Sequence, residues 1–552
     1  MAGSKEKSAK VKKRGKSVNK KGIFVVVFFG GILLTSTIMF ALPPPPPTMS
    51  EDDMDSDITK TGTPMDNFPD DQRATFCGVE EAKSNSFVTE YKIPTVCTQP
   101  LAIKVGPDGN VWFIETNTGS IAKFDPTSEQ FTEFENSFWP EQGRTMSWGM
   151  DYSPDGTLWY TDGTYDSIWK FNTITETFDG MSYPVSESGS LPQKLEIDGS
   201  NVFVNDFTGG KITIFDLVQN MDDVTYMSVL NPIPEAFTGD LTIDAENNLW
   251  YTNWVVDSTG FLVKLNLADY QNEVSIDDTE TTLEKYIHVF DFPHDLNTAN
   301  GLTTDQNGNV WIVDTSSSFF FRFDPTTQEF TKYITTEPPL SSYGNVTGVI
   351  KTPVSRPYWI DTDNSGNLVF NEQTSNQIAV LDVQKESLVE YMIPSKNPNW
   401  ADCDLDSSAN CGVAQIFGFD TTDGAIWFTE WAENNIGVID TTKPLPFKTN
   451  TDKETLVLKK GESGEITLTI TYADISDSIN TEIKTSHTAS TTTNFSDLLI
   501  SSSRNSSQGN TEEIEITIQA SETSLTGNYK VLLGIGNNEV TVSQYVDVII
   551  ES

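Results

Sequence analysis

The chain repeats one short pattern, an apolar strand, a D-G turn and a second strand carrying tryptophan, and a unit so small cannot bury its own faces. The first copy, LAIKVGPDGNVWFIETNTGSIAKFDPTSEQFTEF from Leu101, reads as four short strands divided by the turns GPDGN, NTG and DPTSEQ. Matching segments are SPDGTLWYTD (153–162), IDGSNVFVND (197–206), DAENNLWYTN (244–253), DQNGNVWIVD (305–314), DNSGNLVFNE (363–372) and TTDGAIWFTE (421–430), which makes seven copies. The third has Phe203 and the sixth Val369 where the others have tryptophan. Successive copies lie about 44 to about 61 residues apart, as propeller blades with outer loops of varied length would. Every copy but the last ends in a further strand of one flavour: FTEF, ETFDGMSYP, VTYMSVL, YIHVFDFP, FTKYIT, LVEYMIP. The missing strand stands ahead of the first copy, as FVTEYKIP at 87–94. The pattern therefore predicts an all-β fold, a seven-bladed β-propeller over 87–446 whose N-terminal strand completes the last blade and leaves no free sheet edge.

After Lys443-Pro444-Leu445-Pro446 the texture changes: tryptophan disappears, Thr and Ser multiply, and EITLTITY, EEIEITIQA, YKVLLGIG and YVDVIIES alternate with period two. Residues 447–552 thus read as an immunoglobulin-like β-sandwich whose last two strands form a hairpin about GNN. His487, in KTSHTAS, reads as part of an exposed loop.

The amino-terminal segment is read from charge. The net charge is −44, yet nine Lys or Arg stand in the first 22 residues against one Glu. Residues 23–42, IFVVVFFGGILLTSTIMFAL, carry no charge and suffice for one bilayer crossing. The expected topology is a basic cytoplasmic tail (1–22), an uncleaved single-pass helix (23–42) in the cell membrane, and everything beyond it outside. Pro43 to Pro47 and the acidic EDDMDSD form a stiff, solvated stalk over 43–86. Cys77, Cys97, Cys403 and Cys411 fall on the outer side and suggest disulfides; the local pairing and a crossed one both stay open. The sequons at Asn345, Asn494 and Asn505 agree with export. So strong a negative charge excludes nucleic acid as a partner, since phosphate contacts need Lys and Arg.

The candidate site comes from the repeat. Three residues beyond each tryptophan position stand Glu115, Asp162, Asp206, Asn253, Asp314, Glu372 and Glu430. Counting from the D-G turn places them on one rim of a central channel, opposite residues such as Leu101. Carboxylates converging there repel one another unless protonated or bridged by a hard cation, so Glu115, Asp314, Glu372 and Glu430 are the candidate ligands of magnesium or calcium. The triplet Asp402, Asp404, Asp406 has calcium-like spacing but lacks a turn glycine and reads as a disulfide-closed loop.

PDGNVWFIE...IAKFDPTSEQFTEF and DGAIWFTEWAENNIGVID resemble the repeats of streptogramin (virginiamycin B) lyases, over about residues 87–446. That resemblance implies a seven-bladed propeller that opens a cyclic ester by metal-assisted elimination, with a histidine fourteen residues before the Glu of Trp-Phe-Thr-Glu. Glu372 and Glu430, with Glu115, match the Glu side. The histidine side is occupied by Leu101, Trp148, Pro192, Gly239, Asn300, Tyr358 and Ile416. Elimination needs a base. The candidates left are Tyr358, with Arg356 nearby, and His294 on a loop beside the rim; His288 is the propeller's other histidine. G-x-S-x-G, H-E-x-x-H and phosphate-loop patterns are absent from the sequence. Two functions follow: a metal-assisted lyase acting on a cyclic ester or related small substrate, or a non-catalytic propeller that binds a small molecule or a surface glycan.

Overall fold

The computed structural model describes residues 64–552 except 79, 140–144, 186–188, 200, 217–225, 235, 256–257, 259, 274–285, 345–353, 404–410, 479 and 493–494. The basic tail, the apolar segment 23–42, the stalk up to 63, Asp404, Asp406, Asn345 and Asn494 lie outside the described residues. Among the described residues no helix is long and apolar enough to cross a membrane.

Each repeat copy forms one antiparallel sheet, and the sheets are numbered here in repeat order. Sheet 1 takes Pro100–Val105, Val111–Glu115, Ser120–Asp125 and Gln130–Phe134 in sequence order from the inside outwards. The D-G turns join the first two strands of each sheet. In sheet 7 the strands Ile416–Thr422, Ala425–Glu430 and Asn435–Asp440 are completed by Val88–Lys92, with Val88 opposite Ile439 and Lys92 opposite Asn435. The start of the propeller thus covers the edge that its end would expose. Innermost strands contact their neighbours from sheet to sheet, and that of sheet 7 returns to that of sheet 1, a β-propeller arrangement. Close approach of these strands needs glycine: a Cβ at Gly239 would lie 2.0 Å from the Ala299 carbonyl oxygen, and one at Gly418 2.0 Å from that of Leu101.

Tryptophans fill the spaces between sheets because the second strand is covered on both faces. Trp112, Trp250 and Trp311 are among the largest fully buried side chains. In sheets 4 and 5 the turn aspartate supplies the buried indole with an acceptor: Trp250 Nε1 donates to Asp244 at 2.7 Å and Trp311 Nε1 to Asp305 at 2.9 Å.

Beyond 446, Phe447–Thr451, Ser463–Tyr472, Thr511–Ala520 and Leu498–Gln508 form one sheet, and Thr455–Lys459, Glu482–His487, Gly527–Gly536 and Val540–Glu551 belong to another. Ile466, Leu468, Ile514 and Ile516 of the first share a core with Val531, Leu533, Val546 and Val548 of the second. The second sheet is continuous with sheet 6 of the propeller, Val540–Glu551 pairing antiparallel with Ser387–Met392 so that Leu388 faces Ser543. His487 belongs to a strand opposite Val531, not to an exposed loop.

Two disulfides are local, Cys77–Cys97 and Cys403–Cys411. The first ties down residues 64–78, which composition alone assigns to the stalk. Phe68 is buried there, and Phe76 packs edge-on against Trp400 and Trp431, 5.7 and 5.8 Å between ring centroids.

Candidate functional site

The seven ring positions are all buried, but their side chains do not converge on the channel. The reason is geometric. Side chains stand perpendicular to a sheet, so those of a second strand point at the adjacent sheets, while the channel belongs to the innermost strands. Six innermost strands also carry a bulge that shifts the register, and Pro100, not Leu101, lies opposite Glu115.

Each ring member finds partners locally. Asp162 accepts from Trp139 Nε1 and Trp169 Nε1, both at 3.1 Å, and from the Thr145 hydroxyl. Asp314 accepts from Thr298 N at 2.8 Å, Ser316 Oγ at 2.8 Å and Ser317 Oγ at 2.8 Å. Glu115 accepts from Thr118 Oγ1, and Glu430 from Asn435 Nδ2 at 2.7 Å. Glu372 and Glu430 each face a second glutamate, Glu390 and Glu90. Among the described residues no three His, Cys, Asp or Glu side chains stand together where they could hold a metal ion. Glu115, Asp314, Glu372 and Glu430, each serving its own sheet, therefore do not fit a shared magnesium or calcium ion.

The side chains that do line the channel come from the innermost strands. Lys104, Asp151, Glu196, Thr242, Thr303 and Asp361 surround a cavity of about 250 Å³, with Trp148, Lys194 and Trp359. Asp420, beside this lining, holds Lys104: Lys104 Nζ lies 3.3 Å from Asp420 and 3.6 Å from Asp151. Lys194 Nζ is 3.7 Å from Asp240 and 4.9 Å from the centroid of the Trp359 ring. The acids also stitch the strands to one another. Asp151 accepts from Ile197 N at 2.9 Å, Glu196 from Ile243 N at 3.3 Å, Asp240 from Leu302 N at 3.0 Å and Asp420 from Val105 N at 2.8 Å, each bond passing to the next sheet. Burial pushes Glu196 up to about 8 and Asp240 up to about 7, against the pull of Lys194 on both. Counting from the turn missed this set; its sequence signal is a charged residue set between apolar ones on an inner strand, as Lys104 in IKV and Glu196 in LEI.

Beside Trp148 of the cavity lining, aromatic rings meet across the channel. Trp148 of sheet 2 lies 5.2 Å from Phe417 of sheet 7 and 5.9 Å from Tyr358 of sheet 6, centroid to centroid. Phe417 continues to Trp431 at 5.9 Å. Tyr358 is 3% exposed, and burial followed by Asp240 raises its phenol above the ordinary value, which works against the cation-assisted base expected at this position. His294 is fully exposed, its Nδ1 3.8 Å from Asp295, and is absent from the cavity lining. The structure therefore brings none of Tyr358, His294, Glu372 and Glu430 into one constellation.

No protein-family model matches the chain, and no curated protein matches it. Among solved structures it is similar to virginiamycin B lyase from Staphylococcus aureus (18% identity, TM-score 0.48, covering 64% of this chain and 98% of that one). It is similar also to a streptogramin B lyase (20%, 0.47, 64% and 96%) and to YCF48 bound to D1 peptide (7%, 0.40, 67% and 98%). At these identities and scores the architecture rests on the sheets themselves.

Proposed function

We propose that this chain is a membrane-anchored, extracellular seven-bladed propeller that binds a small-molecule or surface-glycan ligand in its channel and has no lyase chemistry. Residues 23–42 are the anchor and residues 447–552 an immunoglobulin-like module. The observation that carries this reading is the aromatic cluster: Trp148 and Tyr358, which stand at positions where the lyase resemblance expects a histidine base, pack together with Phe417. Binding remains served, because the cavity joins aromatic faces to carboxylate acceptors, the mixed lining that orients small polar ligands. Asp361 supplies an acceptor for ligand hydroxyl or ammonium groups, and Trp359 supplies a face.

The test uses the full chain with magnesium and a streptogramin B-type cyclic depsipeptide, with ring opening followed by mass spectrometry. No linear product is expected; turnover abolished by Glu430→Gln would sink the reading. Binding is probed by glucosamine quenching of tryptophan fluorescence, expected in the native chain and weakened at least tenfold in Asp361→Asn.

A further inference from the structure

Sheets 6 and 7 contain a second arrangement that the channel does not use. In sheet 6, Glu372 lies opposite Gln377, and Ala379, two residues further on, lies opposite Glu390. Facing residues share a side of the sheet and so do residues two apart, so both carboxyls project from one face, over a small alanine. Sheet 7 repeats the pattern with Glu430 opposite Asn435 and Glu90 opposite Gly437. All four glutamates are buried, at 5% exposure or less.

The two members of each pair differ in their donors. Glu90 accepts from Ser395 N at 2.9 Å, Ser395 Oγ at 2.6 Å and Lys83 N at 2.7 Å. Glu390 accepts from Thr336 N at 3.0 Å and from Thr336 Oγ1 at 2.9 Å on both oxygens. Such donors favour the charged form of a carboxyl. By contrast Glu372 meets only the hydroxyls of Thr335 and Ser355, and no backbone N–H, while Oε1 of Glu430 receives no hydrogen bond among the described residues. A buried carboxyl so poor in donors, set against a second carboxyl, is favoured in its protonated form, and Glu430 is within hydrogen-bonding reach of Glu90.

We propose that Glu372 and Glu430 are the acid members, and Glu390 and Glu90 the carboxylate members, of two proton-sharing pairs that make closure of the ring proton-dependent. The Ser and Thr donors explain why closure is involved. Thr336 follows the outer strand of sheet 5 and bonds to that of sheet 6; Ser395 follows the outer strand of sheet 6 and bonds to Val88–Lys92, the strand that closes the circle. Each pair thus holds an outer strand to its own sheet while the same carboxylate holds the neighbouring sheet. Sheet 1 has a surface version, in which Thr95 donates to Glu133, an exposed residue, across from Glu115.

The other titratable groups facing the pairs are few. Glu433, Lys92 and Lys83 stand near the Glu430–Glu90 pair, and Lys484 and Tyr545 near the Glu372–Glu390 pair. Burial first, and the partner glutamate second, raise both Glu372 and Glu430 well above the usual carboxylate range, and burial pushes Glu390 up to about 7 against the pull of its Thr336 donors. The sign follows: the proton is gained on folding, so this stability is full below the unfolded carboxylate value and is lost as pH rises through the folded one.

The experiment is thermal unfolding of the full chain from pH 5 to pH 9, with and without calcium, beside the Glu372→Gln/Glu430→Gln variant. Glutamine is neutral at every pH and can still donate to Glu390 and Glu90. The expected result is a melting temperature that falls with pH in the native chain, by at least twice as much as in the variant. An equal fall in both overturns the proposal. Should the variant not fold, infrared difference spectra of the native chain decide: a carboxylic-acid carbonyl band present at pH 7 and lost on alkaline titration supports the pairs, and its absence overturns them. Calcium that restores the alkaline melting temperature also overturns them, since the sites would then hold a cation.

Discussion

Lys104 Nζ stands 3.3 Å from Asp420 Oδ1, an ion pair across the seam between the first and seventh sheets. Asp420 raises the Lys104 ammonium above its ordinary value despite burial, and Asp420 at the same time caps Val105 N. A charge that serves two sheets and a strand end is expensive to strand.

Lys104→Met leaves Asp151 and Asp420 facing each other without a cation. The expected loss is about 2 kcal/mol, below the scale for a fully buried pair because the Lys104 side chain keeps 30% of its surface exposed. Denaturant unfolding followed by tryptophan fluorescence measures it, and a loss below about 0.5 kcal/mol would show that channel water already screens the pair.

Tyr358→Phe separates packing from chemistry. The ring stays between Trp148 and Phe417 and only the hydroxyl is removed, so stability should change by less than about 1 kcal/mol. Trp148→Ala, which opens the aromatic cluster, should cost about 3 kcal/mol. Equal effects of the two in thermal melts would contradict a packing role.

The propeller and the C-terminal module should unfold together, because one sheet runs through both. Lys530, 8% exposed in its side chain, bridges Glu386 of sheet 6 at 2.6 Å and Asp547 at 3.0 Å. Tyr545 Oη donates to the Ile334 carbonyl of sheet 5 at 2.6 Å. Calorimetry should show one transition for these two parts in the native chain and two in Lys530→Met. Two transitions in the native chain would rule out coupling through the shared sheet.

In the channel, Asp240 at about 7 and Glu196 at about 8 lie above their unfolded values, which makes them proton acceptors on folding. Their contribution is complete below about pH 4 and disappears as pH rises from there to about 8. Asp240→Asn should therefore reduce the alkaline loss of stability in melts taken at constant ionic strength. The turn aspartates Asp125, Asp324 and Asp474 are depressed by hydrogen bonds from neighbouring Ser and Thr residues and work in the opposite direction, but they are exposed and screened. A melting temperature that rises steadily to pH 9 would contradict this balance.

Much of the architecture is written in local pattern. The D-G turns, the period-two alternation and the displaced FVTEYKIP strand specify where strands begin, which way they face and how the ring closes, because turn geometry and strand pleating act over a few residues. Pairing of Val88–Lys92 with Asn435–Asp440 bears out the closure read from the missing strand. Both local disulfides form as well.

The site followed a different logic. The residue three beyond tryptophan recurs as regularly as a ligand ring would, yet Glu115, Asp314, Glu372 and Glu430 are buried away from the cavity lining, and the channel belongs to Lys104, Asp151, Glu196 and Asp361. A bulge in the inner strand changes the register by one residue, and nothing in Leu101 or Pro100 alone announces it. The sequence by itself determined the repeat, the strands and the closing of the circle, since these depend on neighbours along the chain. Only the tertiary structure decided which acids share a face, that Trp148 meets Tyr358 and Phe417 across the channel, and that Val540–Glu551 extends sheet 6, since those contacts join residues whose spacing in sequence carries no period.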